Sequence, residues 1–332
     1  MQSKLFDFFP VPKFLSMETS GITVSDGFIQ YVTCDTKSSR IRLVDYGELP
    51  LADEIIENGG VVKTKELIDA LRDFKKKHNL HYVQVSIPEE KSFLFKTKAY
   101  GRNVKELTSS VELQIPDNVP YHTTEVVFDF TLISQNKDDS YNVMVSVLPR
   151  DVVEQYLDVF TAAGLVPTSF QVESQAVAGA VIPQKDTHTH LIVNIHGEKA
   201  GFYIVSNGTV LFSSTSSIAE REMSINVFDN LTQDDTLGQK NLPVLLREIR
   251  KVMTYWHTHD GRKASRALKK IVFCGTIENE IELTDYIGSK TSTEVSIANV
   301  WTNAFSFQDM IPDMSRKESL RFAAAVGLTL LK

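Results

Sequence analysis

Two short turns, about 170 residues apart, contain the residue types best suited to hold a charged ligand. Exposed backbone N–H groups in such turns can donate hydrogen bonds to an anion such as phosphate, and a lysine adds a positive point charge. The alternative for each turn is a solvated hairpin tip, in which an aspartate only favours the turn itself. The sequence leaves both interpretations open. The residues are Ser25, Asp26 and Gly27 in the first turn and His196, Gly197, Glu198 and Lys199 in the second.

Three further residues can complete a ligand-binding cleft. Glu173 begins a helix rich in small residues, where it can position an attacking water or place a favourable charge at the helix N-terminus. Gly275 and Thr276 follow an apolar strand, where glycine lets a backbone approach a ligand or simply forms a strand-to-helix turn. His188 and His190 can share one face of an extended segment, but no third metal ligand with useful spacing is visible. We interpret this pair as part of a polar linker.

A repeated pattern of strands and a helix predicts that the two turns lie in equivalent halves of the chain. In each half, Asp-Gly or Asn-Gly separates two alternating strands, which is a strong hairpin signal because that turn needs positive φ. Each half is therefore predicted to form a mixed sheet covered by helices. The first half has strands at 21–25, 28–33, 40–46 and 82–88 and a helix at 63–78. The second has strands at 191–195, 201–205, 209–213 and 270–274 and a helix at 243–257.

Extra material between Glu89 and Gly164 has no equal in the second half, and we predict an inserted subdomain there. Gly164 suits the left-handed position that ends a helix. The predicted elements are strands near 125–133 and 141–148 and a helix from Asp151 to Ala163. Farther along, Ser315 and Glu318 form a capping box that opens a helix rich in small residues, which permits close helix packing.

Length and composition limit the classes of protein to be considered. A chain of 332 residues favours two lobes over one compact core. The net charge is −7 and the basic residues are spread along the chain, so we expect no nucleic-acid binding. Cys34 and Cys274 give neither a disulfide framework nor a thiolate metal site, which fits a reducing compartment. No signal peptide or apolar run of membrane-spanning length is visible, so we expect a soluble protein.

Several segments of the chain share their order and spacing with one known protein family. The resemblance covers nearly the whole chain and is strongest from Leu157 to Ala178. No single segment decides it, and their order and spacing carry it. The segments are 12–17 leading into Gly-Ile-Thr-Val-Ser-Asp, then 111–116, 157–167, 172–178, 248–251 and 323–328. Together they resemble the type IV pilus assembly protein PilM family, which is similar to the bacterial cell-division protein FtsA.

The resemblance implies an actin-like fold, which is a duplicated, ribonuclease H-like α/β fold of two lobes. It also implies that the insertion is a subdomain of the SHS2 type within the first lobe. The expected division is an N-terminal arm at 1–16, a first lobe at 17–186 with the insertion at about 90–164, a second lobe at 187–315, and a C-terminal helix at 316–332 that packs back on the first lobe.

The resemblance also implies a cytoplasmic scaffold of the type IV pilus inner-membrane assembly complex. Members of this family bind ATP between the lobes and grip the short cytoplasmic tail of the inner-membrane protein PilN. The expected partner is therefore the cytoplasmic peptide of a PilN-like protein, and the membrane is contacted only through that partner. The expected location is the cytoplasm, at the inner face of the cell membrane. The oligomeric state stays open.

The sequence departs from the family at the phosphate loops. Thr23 and Asn194 stand where the family implies metal-binding aspartates, and Ser217-Ile218 replaces a glycine pair. Weakened Mg²⁺ binding is expected from these neutral residues, so we predict no efficient ATPase and treat ATP as a structural ligand. The main alternative is an active nucleotide hydrolase or a filament-forming, FtsA-like protein. A sugar or acid kinase on the same fold lacks a catalytic aspartate in the second half.

Overall fold

The computed structural model describes residues 19–35, 41–219, 241–259, 266–305 and 312–330. The N-terminal arm expected at residues 1–16 lies outside these ranges. The strands, in chain order, are β1 (Thr19–Val24), β2 (Phe28–Asp35), β3 (Arg42–Pro50), β4 (Ile56–Glu57), β5 (Gly60–Val61), β6 (Tyr82–Ile87), β7 (Phe93–Ala99), β8 (Val126–Gln135), β9 (Tyr141–Pro149), β10 (Val166–Val172), β11 (Thr189–His196), β12 (Lys199–Ser206), β13 (Thr209–Ser217), β14 (Leu268–Gly275) and β15 (Glu294–Ile297). The helices within these ranges are α1 (Thr64–His78), α2 (Val104–Glu112), α3 (Ile115–Asn118), α4 (Arg150–Ala162), α5 (Glu173–Val181), α6 (Leu242–His259), α7 (Glu280–Lys290), α8 (Arg316–Ser319) and α9 (Ala323–Thr329).

Two five-stranded sheets with the same connectivity form the two lobes. Their strand orders are β3-β2-β1-β6-β10 and β13-β12-β11-β14-β15. In each lobe the first three strands form an antiparallel meander, and two later strands add in parallel beside the first. The predicted duplication is therefore confirmed. The carboxyl ends of parallel strands gather at one edge of a sheet, so residues that follow β1, β6, β10, β11 and β14 are brought to a common cleft.

The two predicted hairpins both form, but by different turns. Asn207 and Gly208 have φ of 50° and 72°, as the Asn-Gly signal predicts. Asp26 and Gly27 do not have positive φ, so the reason given for that hairpin is wrong. The first turn closes through a 2.9 Å hydrogen bond from the Ser25 amide to the Phe28 carbonyl.

Helix α4 belongs to the first lobe rather than to the insertion. Tyr156, Val159 and Phe160 are buried in the same core as Leu67 and Leu71 of α1. In the second lobe, α7 lies between β14 and β15 as α4 lies between β9 and β10. The expectation that this helix has no equal in the second half is therefore wrong, because its apolar face completes a lobe core. Gly164 follows α4 with φ of 82°, as predicted.

The insertion has its own sheet and its own core. Its strand order is β7-β9-β8, and α2 follows β7 in the chain. Leu107 and Val111 of α2 are buried against Val143 and Val145 of β9. Phe93, at the start of β7, pairs with Val147, near the end of β9. The two connections to the first lobe therefore lie side by side.

Helix α9 packs so closely that two glycines are required at its contacts. A Cβ on Gly327 would clash with the backbone carbonyl of Ala176 in α5. A Cβ on Gly21 of β1 would clash with the carbonyl of Ala325. Helix α9 therefore packs on the first-lobe sheet. The capping signal predicted at Ser315 also forms at the start of α8, because the Ser315 hydroxyl accepts a 3.1 Å hydrogen bond from the Glu318 amide.

No helix in the described part of the chain is both long and apolar enough to cross a membrane.

Candidate functional site

The two turns identified from the sequence meet directly across the cleft. The Lys199 ammonium, at the start of β12, lies 2.5 Å from Asp26 Oδ2, in the turn between β1 and β2. The same Asp26 carboxylate accepts hydrogen bonds of 3.2 and 3.1 Å from the amides of Asn58 and Gly59. Asp26 thus does more than favour its own turn, because it joins three segments of the protein.

A second polar group lies where α5 meets β11. Asn194 Nδ2 donates a 2.9 Å hydrogen bond to Glu173 Oε1, and His196 Nε2 lies 3.0 Å from the same oxygen. The buried Cys274 thiol donates to Asn194 Oδ1 at 3.3 Å. Burial lowers the pKa of His196, but the hydrogen bond and the charge of Glu173 outweigh this, so the pKa is raised above its usual value. When His196 is protonated, it forms an ion pair with Glu173.

Two adjacent carboxylates follow β6 and face the same cleft. Glu89 is buried and accepts 3.0 Å hydrogen bonds from the Ser174 amide and the Ser92 hydroxyl. Burial raises the pKa of Glu89, and hydrogen bonds from Ser213 and Ser174 offset only part of that effect. Burial also raises the pKa of Glu90, which lies 3.7 Å from Lys199. The cleft therefore concentrates acidic groups around one lysine.

A cavity of about 390 Å³ opens beside the tip of the β11–β12 hairpin. Gly197, Glu198 and Thr276 line it, as does Ile218, which is buried where the family implies a glycine pair. Glu198, Glu278 and Glu282 supply carboxylates, whereas no lysine or arginine of the described residues lines this cavity. Its electrostatics therefore disfavour anionic ligands.

The remaining sequence candidates have local structural roles. The Ser25 hydroxyl donates to the Phe28 carbonyl at 3.3 Å, and Gly27 has open space around it. Thr23 pairs with Gln30 and Ser86 in the sheet. Gly275 has φ of 90° and lies against the Ile195 backbone, so its missing side chain serves backbone packing. The Thr276 amide donates to the Ile195 carbonyl at 2.7 Å.

His188 and His190 share one carboxylate. His190 is buried within β11, so the interpretation of this pair as a polar linker is wrong for His190. His188 Nδ1 lies 2.7 Å from one oxygen of Asp186, and His190 Nε2 lies 3.0 Å from the other. Across the ranges that the structure describes, no group of three or more His, Cys, Asp or Glu side chains could hold a metal ion.

Sequence reasoning missed Asn58, Glu89 and Glu90. Asn58 and Gly59, with φ of 48° and 70°, form an Asn-Gly turn between β4 and β5, a signal that was present in the sequence. The two glutamates directly follow β6, at the carboxyl end of a parallel strand. Either signal could have placed these residues at the cleft.

The chain is similar to known proteins in both sequence and fold. A family model described as type IV pilus assembly protein PilM matches residues 21–233. This chain belongs to the PilM family. No curated protein matches it. Among solved structures, a PilM–PilN type IV pilus biogenesis complex matches with a TM-score of 0.74 at 17% identity, covering 95% of this chain and 98% of the other.

Two further solved structures share the architecture of this PilM family member. The ethanolamine utilization protein EutJ of Carboxydothermus hydrogenoformans matches with a TM-score of 0.54 at 12% identity, over 97% of this chain and 92% of that one. The cytoplasmic domain of EpsL, an inner membrane component of the type II secretion system of Vibrio cholerae, matches with a TM-score of 0.50 at 11% identity, over 93% and 94%. At such identities the likeness concerns the fold, and the actin-like two-lobed fold predicted from the sequence is confirmed.

The phosphate end of the cleft does not fit Mg²⁺ and ATP, the ligands implied by the family resemblance. Asn194 is buried and already bonded to Glu173, so it offers no carboxylate to a hydrated metal ion. Asp26, the carboxylate of the first turn, is already paired with Lys199. Glu90, 3.7 Å from Lys199, and Glu173, 3.0 Å from His196, add negative charge that disfavours a triphosphate beside these turns.

Proposed function

We propose that this PilM family member is a non-hydrolysing scaffold of a type IV pilus assembly complex, which binds the cytoplasmic tail of a PilN-like inner-membrane protein. It then acts in the cytoplasm beside the membrane, held there by its partner. The observation that carries the proposal is the junction between the insertion and the first lobe. Strand β8 of the insertion and strand β10 of the first lobe both pack there against one apolar cluster. Within the described residues, each of these two strands lacks a partner strand on one edge.

The floor of this junction is defined by buried Ile87, Leu148 and Val172. Val127 of β8 and Phe170 of β10 are only partly buried and pack against it from the two sheets. An extended peptide laid along either edge can make main-chain hydrogen bonds to the strand and direct alternate side chains to the floor. We call the place where partly buried Val127 and Phe170 cover these three buried residues the junction groove.

Three exposed carboxylates and one arginine lie beside the junction groove, and Arg150 donates hydrogen bonds to the carbonyls of Thr124 and Val126. Val152 and Val153 of α4 contact the same apolar cluster. Their neighbours Asp151 and Glu154 are exposed, and so is Asp129 on β8. Lysines or arginines of a membrane-proximal peptide would find complementary carboxylates there, which favours association and fixes orientation.

The test measures binding of a labelled peptide that carries the cytoplasmic tail of a PilN-like protein from the same organism. Val127→Lys places a positive charge in the junction groove and should weaken binding by about tenfold or more. Leu132→Lys is the matched control, because Leu132 lies on the same strand but is half exposed and outside the apolar cluster. Equal affinity of both variants would place the tail elsewhere.

A second variant removes the insertion while keeping the first-lobe core. Because Phe93 and Val147 are paired, a short glycine-serine linker can replace residues 94–147 without moving α4. Circular dichroism and thermal unfolding first establish that this variant folds. Loss of tail binding is then expected, and undiminished binding would contradict the proposal.

A further inference from the structure

The Lys199 ammonium contacts three separate oxygen groups of the opposite lobe. Besides Asp26 Oδ2 at 2.5 Å, it lies 3.0 Å from Asn58 Oδ1 and 3.7 Å from Glu90 Oε1. These acceptors come from the β1–β2 turn, the β4–β5 turn and the segment after β6. Hard oxygen groups converging from several segments on one positive charge are the arrangement usual for a bound divalent cation.

Both ends of this contact are held in place by other interactions. Asp26 is oriented by the amides of Asn58 and Gly59, and the Gly59 carbonyl accepts a 3.1 Å hydrogen bond from Tyr156 of α4. On the other side, the Lys199 backbone is paired with His196 and Ser217 in the second-lobe sheet. A change in the angle between the lobes must therefore separate Lys199 from all three acceptors.

We infer that Lys199 is a tethered cation that clamps the two lobes together, so that the cleft closes without Mg²⁺ or nucleotide. The clamp lies at the edge where the carboxyl ends of the central strands meet. Its single charge offsets part of the negative charge of Asp26 and Glu90, which lie with Glu173 on the first-lobe side of the cleft. The inference does not depend on tail binding, because the peptide site proposed above lies at the junction groove.

The experiment measures the distance between spin labels on the two lobes of the full chain. Lys65 of α1 and Ile281 of α7 are exposed and suit replacement by labelled cysteines, while Cys34 and Cys274 are buried. Wild-type protein is expected to give one narrow distribution that millimolar Mg²⁺, with or without ATP, leaves unchanged. Wild-type lobes that close only when Mg²⁺ and ATP are added would overturn the inference.

Two variants remove the clamp by different routes. Lys199→Met deletes the ammonium but keeps the aliphatic stem, and Asp26→Asn keeps an acceptor for the turn amides but removes its charge. Either change should broaden the distribution and lengthen the mean distance by several ångströms. The matched control is Lys63→Met, because Lys63 pairs with Glu54 at 2.8 Å within the first lobe.

One folded clamp variant is enough to decide between the outcomes, so the test still works if the other variant fails to fold. Opening in a folded variant, with Lys63→Met unchanged, supports the clamp. A distribution identical to wild type in either folded variant overturns it. Tail affinity measured on the same samples separates this result from a failure of the scaffold proposal.

Discussion

At the residue scale, the cleft differs from a metal-binding phosphate site by a few substitutions whose effects can be measured. Asn194 donates a hydrogen bond where the family implies a metal-binding carboxylate, and it fixes Glu173 beside His196. The polar groups at the strand ends thus satisfy one another. A buried polar group with partners in the protein has less need of a ligand.

The His196–Glu173 pair should make stability depend on pH. The folded-state pKa of His196 is raised, so its contribution is fully present below the unfolded pKa of about 6.5 and is lost as pH rises through the folded value. The difference in unfolding free energy between wild type and His196→Gln should therefore be larger at about pH 6 than at about pH 8.5. Urea unfolding measures it. Exposed His257 gives the control variant His257→Gln.

Restoring a carboxylate at position 194 should destabilise the protein. Asn194→Asp replaces a donor 2.9 Å from Glu173 with a second buried acid, and we expect a loss of about 2 kcal/mol at neutral pH. The loss should shrink at about pH 5, where one proton can be shared by the two acids. Exposed Asn118 gives the control Asn118→Asp. Equal unfolding midpoints for both variants would contradict the close contact with Glu173.

At the element scale, the packing of α9 on α5 is the most demanding contact. Gly327→Ala should lower the unfolding free energy by about 3 kcal/mol, because the new Cβ meets the Ala176 carbonyl rather than a movable side chain. Gly179→Ala lies on α5 in open space and should be neutral or stabilising by about 0.5 kcal/mol. Urea unfolding of the pair checks both. Similar losses for the two variants would mean that helix α9 can shift away.

The elements also show how far sequence patterns reach. Hairpins, helix ends and the duplication follow from local signals such as Asn207-Gly208 and Gly164, and these were confirmed. Helix α4 was wrongly assigned to the insertion, because an amphipathic pattern shows that a helix buries one face but not which hydrophobic core that face joins. Asp26 and Lys199 were both identified, but their contact was not. Their contact depends on the angle between the two lobes, because Asp26 and Lys199 lie on different lobes and are 173 residues apart in the chain.

At the scale of the whole molecule, the charge balance of the cleft opposes catalysis on phosphate. We expect ATP turnover at background, measured as phosphate release with Mg²⁺, because Asp26, Glu90 and Glu173 repel a triphosphate and Lys199 is already paired. Glu173→Gln should leave that background unchanged. Robust turnover that disappears in Glu173→Gln would instead favour the alternative of an active hydrolase.

The contact between β1 and α9 also has a consequence for the order of folding. Gly21 and Ala325 touch through their backbones, although about 300 residues separate them along the chain. During synthesis, β1 leaves the ribosome long before the residues that cover it have been made. One apolar face of the first-lobe sheet therefore stays uncovered until the second lobe has been translated. Nascent chains of this protein should need protection from aggregation for most of their synthesis.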